Sequence, residues 1–126
     1  MQQSKFSARK RIKSFACAFN GLKVLIKEEH NFRIHLVAAV CAVILGVALS
    51  LSLWEWVAIA FAIGFVFVVE AVNSTVERIC DFVSPQKHDK IKNIKDISAA
   101  AVLIAAFMAL AVGLIVFIPK LLLIFI

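Results

Sequence analysis

Glu70-Ala71-Val72-Asn73-Ser74-Thr75-Val76-Glu77-Arg78-Ile79-Cys80-Asp81 follows a run of thirteen residues, 57–69, that carries no charge. Acidic or amide side chains then stand at 70, 73, 77 and 81, a spacing that stacks them in one stripe if the segment is helical. Glu70 and Glu77 are then separated by about 10.5 Å along the axis, at 1.5 Å per residue. One helix thus aligns three carboxylates and an amide, beginning at membrane depth.

The rest of the chain fits that setting. Its 126 residues suit a single domain, 1–126, and 63% of them are hydrophobic, well above the share of a water-soluble domain. The formal charge of +6 points to an anionic lipid surface or a polyphosphate ligand. No interleaving of basic and aromatic residues suggests base stacking, so nucleic acid is not an expected partner. Residues 1–15 have no apolar core ahead of their charges and no small-residue cleavage site, and are not expected to be a cleaved signal peptide. Cys17, Cys41 and Cys80 have neither metal-site nor disulfide spacing and are expected to be packing residues.

Residues 1–31 read as a basic, amphipathic surface helix. Phe6, Ile12, Phe15, Phe19, Leu22 and Ile26 recur at helical steps, and lysines and arginines fill most of the remainder. Asn20-Gly21 is a candidate break within it. Three spans follow. The first covers about 34–53, and a short external turn holds Ser50, Ser52 and Trp54-Glu55-Trp56. The second starts near 56 and continues as helix to about 83, where Ser84-Pro85 stops it. A polar loop, 86–96, leads to the third span at about 97–118, whose alanines and Gly113 suit close helix contact. The expected fold is therefore an all-α membrane protein, a surface helix plus three transmembrane helices.

Thirteen of the fourteen lysines and arginines fall in the N-terminal segment, through Arg33, and in 78–96, while the 50–56 turn holds none. The positive-inside rule then puts the N-terminus and the polar loop in the cytoplasm. The lower half of the acidic stripe shares that side.

Ionisable residues within a span signal function by default. Glu70, directly after Val66-Phe67-Val68-Val69, is poorly hydrated and suits a general base for a lipid hydroxyl or a proton-coupled transport site. Glu77 and the Glu28-Glu29 pair lie nearer the cytoplasm, where oxygen ligands suit Mg²⁺ bridged to phosphate. Asn73 offers donor and acceptor groups one turn from Glu70, for the site or for an interhelical hydrogen bond. Lys95 is placed to neutralise a transferring phosphoryl group, and Asp96 also reads as the N-cap of the third helix. Lys87-His88 is in reach of a nucleotide or is solvated surface, and His35 is an interfacial anchor or a substrate contact. Asp81 is expected to form a structural ion pair with a nearby lysine. Neither a P-loop nor a protein-kinase signature is present.

The run E-A-V-N-S-T-V-E-R-I-C-D from Glu70, then His88, then Lys95-Asp96 leading into a small-residue span, resembles the small prokaryotic integral-membrane diacylglycerol kinases. Asn20-Gly21-Leu22-Lys23 and Glu29-His30-Asn31-Phe32-Arg33 extend the resemblance to about residues 10–118. E-x-N-F-R-I-H-L from Glu29 and D-x-V-x-P from Asp81 look closer to the undecaprenol kinase branch. The resemblance implies an ATP- and Mg²⁺-dependent lipid kinase, acting on diacylglycerol or undecaprenol as a homotrimer in the bacterial inner membrane.

Carried over by position, Glu70 is the general base, supported by Asn73, and Glu29 and Glu77 hold the metal on ATP. Lys95, Asp96 and the Gln86-Lys87-His88 loop contact nucleotide. Lys10 and Cys17 fall at further nucleotide positions, where relatives carry an arginine and an aromatic residue. His35, at a glutamate position, and Ala99 fall with Glu70 on the lipid side. The competing expectation is a small proton-coupled transporter using Glu70, which leaves Glu29, Glu77 and Lys95-Asp96 without work.

Overall fold

Ser52 opens the helix that organises the molecule. Its hydroxyl accepts from the Glu55 N–H (3.3 Å), and its own N–H donates to the Glu55 carboxylate (2.9 Å). This reciprocal pair satisfies two backbone donors that a helix start leaves unpaired. The computed structural model describes residues 7–126 as four helices: α1 (Ala8–Glu28), α2 (His30–Ala48), α3 (Leu53–Val83) and α4 (Asp89–Phe125). Residues 1–6, with Phe6 of the expected surface segment, lie outside the described residues.

The helix boundaries correct several expectations. α1 runs unbroken through Asn20-Gly21, because a single exposed glycine costs a long helix only about 1 kcal/mol. The chain breaks instead at Glu29, one extended residue (φ −109°, ψ 110°) shared by α1 and α2. α2 therefore begins before residue 34 and ends before residue 53. α3 takes Trp54-Glu55-Trp56 into its first turn, so the turn between α2 and α3 is only 49–52. It ends at Val83, as Pro85 requires of the residues before it.

α4 departs most from expectation. His88 is its N-cap, with the ring Nδ1 accepting from the Lys90 N–H (3.1 Å). The polar stretch 89–96 is thus helix rather than loop, and Asp96 is not an N-cap. Its carboxylate instead pairs with Lys92 one turn earlier, at 2.6 Å. The helix also continues through Pro119 to Phe125. A proline inside a helix removes one N–H bond, and such interruptions are tolerated where neighbouring helices support the chain. Here Lys120 supplies a tie: its Nζ lies 3.2 Å from Glu55 Oε1 and donates to the Ser50 carbonyl at 3.3 Å.

The turn between α2 and α3 is tight. Leu51 N–H reaches the Gly46 carbonyl and Ser50 N–H the Val47 carbonyl, a Schellman pair that closes α2. Ser50 accordingly adopts φ 54°, in the left-handed region. At Gly46 an added Cβ would lie 2.7 Å from the Trp56 ring and 2.9 Å from Leu51, so only glycine lets the indole approach α2.

α4 runs along α3 in the most extensive helix contact, with Ala105 only 1% exposed at its centre, and α2 packs on α3. Leu51, Ile59, Val116 and Phe117 form a buried cluster near the α2–α3 turn. Phe32 and Phe67 meet at the other end, ring centroids 5.0 Å apart. α1 buries no residue, and its Ile12, Phe15 and Phe19 are exposed. Three helices, α2, α3 and α4, are long and apolar enough to cross a membrane. Most of their large apolar side chains face outward. Cys80 is buried, whereas Cys17 and Cys41 are exposed rather than packed, and all three thiols are free.

Candidate functional site

The stripe on α3 is present and graded by depth. Glu70 (5% exposed), Asn73 and Ser74 are the buried polar residues among those described. Glu77 is half-buried one to two turns on, and Asp81 is exposed. The helical period does this: 70, 73 and 77 face the other helices, and the helix leaves them at 81.

α2 supplies the neighbour of Glu70. His35 Nε2 stands 3.0 Å from Glu70 Oε1, an ion pair when the imidazole is protonated. Oε1 is otherwise a buried acceptor without a hydrogen-bond partner among the described residues. Such an atom is costly in a fold unless something fills its place during function. His35 is also the one polar side chain lining an open apolar cleft of about 430 Å³ between α2, α3 and α4. Ala38, Ala42, Ala106, Ala109 and Gly113 make room for it. A cleft fit for hydrocarbon therefore ends at a histidine that touches a buried carboxylate.

α4 supplies the neighbour of Asn73. Ser98 Oγ donates to Asn73 Oδ1 at 2.7 Å, which leaves the side-chain amide N–H groups unbonded among the described residues. Ala99, next along α4, is exposed.

The α1–α2 junction supplies Glu29. As the residue before α2 its side chain makes no cap hydrogen bond. It turns to α3, where Ser74 Oγ donates to Glu29 Oε1 at 2.7 Å and Arg78 Nη2 donates to the same oxygen at 3.1 Å. Arg78 also pairs with Glu28 Oε2 at 2.7 Å, so both carboxylates of the Glu28-Glu29 pair are engaged by one guanidinium. These hydrogen bonds, to Glu28 first, hold the Arg78 guanidinium above its ordinary basicity. Glu29 and Glu77 are the two carboxylates close enough to Glu70 to act on it electrostatically.

The polar end brings Lys95 together with Asp81 at 2.6 Å, the ion pair expected for Asp81. The hydrogen bond to Asp81 raises the Lys95 ammonium above its usual range. Lys95 and Asp96 do not act as one pair, since Asp96 is turned to Lys92. Gln86 accepts from Ser84 Oγ through its carbonyl, and Lys87 is exposed beside the capping His88. Lys10 and Cys17 are exposed on α1, and no side-chain contact ties them to the stripe among the described residues.

Sequence reasoning missed three participants, Arg78, Ser74 and Ser98. Ser74 and Arg78 lie inside the quoted stretch, and Ser98 follows Asp96 by two residues. The available signal was a cation directly after Glu77, on a helix whose other polar groups are acidic or neutral.

No group of three or more His, Cys, Asp or Glu side chains is gathered to hold a metal ion among the described residues. A hard cation at Glu29 and Glu77 would therefore complete its shell with phosphate and water oxygens. Mg²⁺ is commonly held that way, by one or two carboxylates plus substrate phosphates. Two carboxylates as donors fit that arrangement.

A family model described as prokaryotic diacylglycerol kinase matches residues 16–117. The chain is 36% identical to the undecaprenol kinase of Bacillus subtilis over 109 residues, covering 86% of this chain and 89% of that one. It is 31% identical to the diacylglycerol kinase of Escherichia coli K12 over 98 residues, or 78% and 80% of the two chains. A diacylglycerol kinase of Synechocystis is 32% identical over 110 residues, 86% of this chain and 63% of its own.

Proposed function

The chain belongs to the prokaryotic diacylglycerol kinase family and is a lipid kinase, and on that premise we propose that Glu70 is its general base toward a membrane lipid alcohol. The observation that carries this reading is the apolar cleft ending at His35 and the buried Glu70 carboxylate. A hydrocarbon chain lies in the cleft and brings its terminal hydroxyl to Glu70. His35 sits at the meeting point and contacts the lipid head, as does the Ala99 edge of α4.

Glu70 takes the hydroxyl proton as the lipid oxygen attacks the γ-phosphorus of ATP. The new O–P bond forms as the bond from the γ-phosphorus to the β,γ-bridging oxygen breaks, giving lipid monophosphate and ADP. Such transfers depend on positioning and charge neutralisation more than on covalent help. Glu29 and Glu77 would hold Mg²⁺, which when bound offsets charge on the phosphate oxygens. Asn73, fixed by Ser98, presents its amide donors to the reacting groups. Lys95 meets the phosphates from the aqueous side, with Asp96, Gln86, Lys87, His88, Lys10 and Cys17 around the nucleotide.

α1 rests on the membrane surface through Ile12, Phe15 and Phe19, which no other helix covers. Its basic residues and the 78–96 region face the cytoplasm of a bacterial inner membrane. The chain works as a homotrimer, a reading supported by the exposed small residues Ala99, Ala100 and Ala101 of α4. The identity to an undecaprenol kinase over 89% of its length favours a polyprenol over diacylglycerol. A proton-coupled transporter is not favoured, because it gives no role to Glu29 and Glu77 and is not an activity of the kinase family the chain belongs to.

Transfer of ³²P from γ-labelled ATP to undecaprenol or diacylglycerol in mixed micelles tests the reading. Mg²⁺-dependent labelling of one lipid is expected. Labelling of neither would end the assignment of the lipid hydroxyl to Glu70.

A further inference from the structure

The polar contacts of Glu29 point to a role for a residue outside the catalytic stripe. We propose that Arg78 is a positioning residue that sets the Glu29 carboxylate for a cation bound with nucleotide. This rests on the kinase reading above and extends it to a residue not otherwise assigned.

Three observations converge on Arg78. Glu29 is the single extended residue between two helices, so its backbone does not by itself fix where its side chain goes. Two donors from α3 fix it instead: Ser74 Oγ and Arg78 Nη2 both reach Oε1. Ser74 is buried, and Arg78 Nε lies 3.4 Å from its hydroxyl, so the guanidinium and the hydroxyl brace each other. With Oε1 taken twice, Oε2 has no hydrogen-bond partner among the described residues and is the oxygen available to a cation.

Charge makes this arrangement workable. A guanidinium next to a cation ligand would by itself repel the cation. Arg78 is at the same time paired with Glu28 at 2.7 Å, so Glu28, Glu29 and Arg78 together carry one net negative charge. Planar guanidinium geometry suits this double grip, and a lysine would lose it. Arg78 thus joins the end of α1 to the helix that carries Glu70, and does so through a ligand of the site rather than through apolar packing.

The test is binding of Mn²⁺ with a non-hydrolysable ATP analogue to the full chain in detergent, read by loss of the free Mn²⁺ EPR signal. Arg78→Ala is expected to weaken Mn²⁺ binding at least tenfold and Arg78→Lys about threefold, each with a wild-type far-ultraviolet spectrum. In the background of Glu29→Gln, Arg78→Ala is expected to add nothing. Unchanged or tighter Mn²⁺ binding in Arg78→Ala would overturn the proposal, as would a loss that adds in full to that of Glu29→Gln. If Arg78→Ala fails to fold, Arg78→Lys and Ser74→Ala decide by the same comparison. Unlabelled lipid in the wild-type assay would count against the kinase chemistry at Glu70, while this binding comparison would still decide the role of Arg78.

Discussion

Ser98 Oγ donates to Asn73 Oδ1 across the α3–α4 contact at 2.7 Å, and this bond turns an interhelical polar pair into an oriented amide. Asn73 is buried, so its oxygen would otherwise be an unpaired acceptor. Removing the partner of a buried polar group costs about 1–3 kcal/mol. Ser98→Ala is therefore expected to lower the unfolding midpoint in detergent and to cut turnover about tenfold, equivalent to about 1.4 kcal/mol. Ser98→Thr keeps the donor and should restore most of the rate. Initial rates and thermal unfolding of both variants check this.

Glu70→Gln should abolish turnover while nucleotide binding persists, because the proton acceptor is lost and Glu29 and Glu77 are retained. Calorimetric titration with an ATP analogue beside a lipid phosphorylation assay separates the two effects. Equal rates in variant and wild type would remove Glu70 from the chemistry.

Glu77→Gln should shift the Mg²⁺ dependence of the rate to higher concentration, or inactivate. An unchanged Mg²⁺ titration curve would exclude Glu77 as a ligand.

Gly46→Ala places a methyl group 2.7 Å from the Trp56 ring, with Leu51 at 2.9 Å on the other side. Overpacking of this kind typically costs about 1–3 kcal/mol. The variant should unfold at lower temperature and show altered tryptophan emission, with the effect confined to the α2–α3 turn end of the bundle.

Ser50→Gly should act in the opposite direction. Ser50 holds φ 54°, where a side chain is strained and glycine is not. A gain of about 0.5–1 kcal/mol is expected, after allowing for the greater freedom of glycine in the unfolded chain. Thermal unfolding of the variant measures it.

The apolar runs and the 70–81 stripe were legible in the sequence because both depend on local periodicity. Glu70, Asn73 and Glu77 could be found this way, and so could the stop at Pro85. The Arg78–Glu29 and Ser98–Asn73 contacts were not legible, since they join residues 49 and 25 positions apart through helix packing. The start of α4 was misplaced for a different reason. Lysines and two aspartates at 87–96 read as a loop, yet the capping imidazole of His88 and the Lys92–Asp96 pair make the same residues a solvated helix. At Pro119 the local preference to end a helix is overridden by the ties that Lys120 makes beyond it.

Lys120 bears on insertion as well as on folding. In the proposed orientation it is the one lysine or arginine that must be carried to the outer side, against an inside-negative potential. Moving a lone positive charge that way involves about 2.3 kcal/mol of electrical work per 100 mV. Glu55, 3.2 Å away and on the same side, crosses with it, so the pair as a unit transports no charge. The outer end of the bundle is then indifferent to the membrane voltage, and the basic inner end alone sets which way the chain faces.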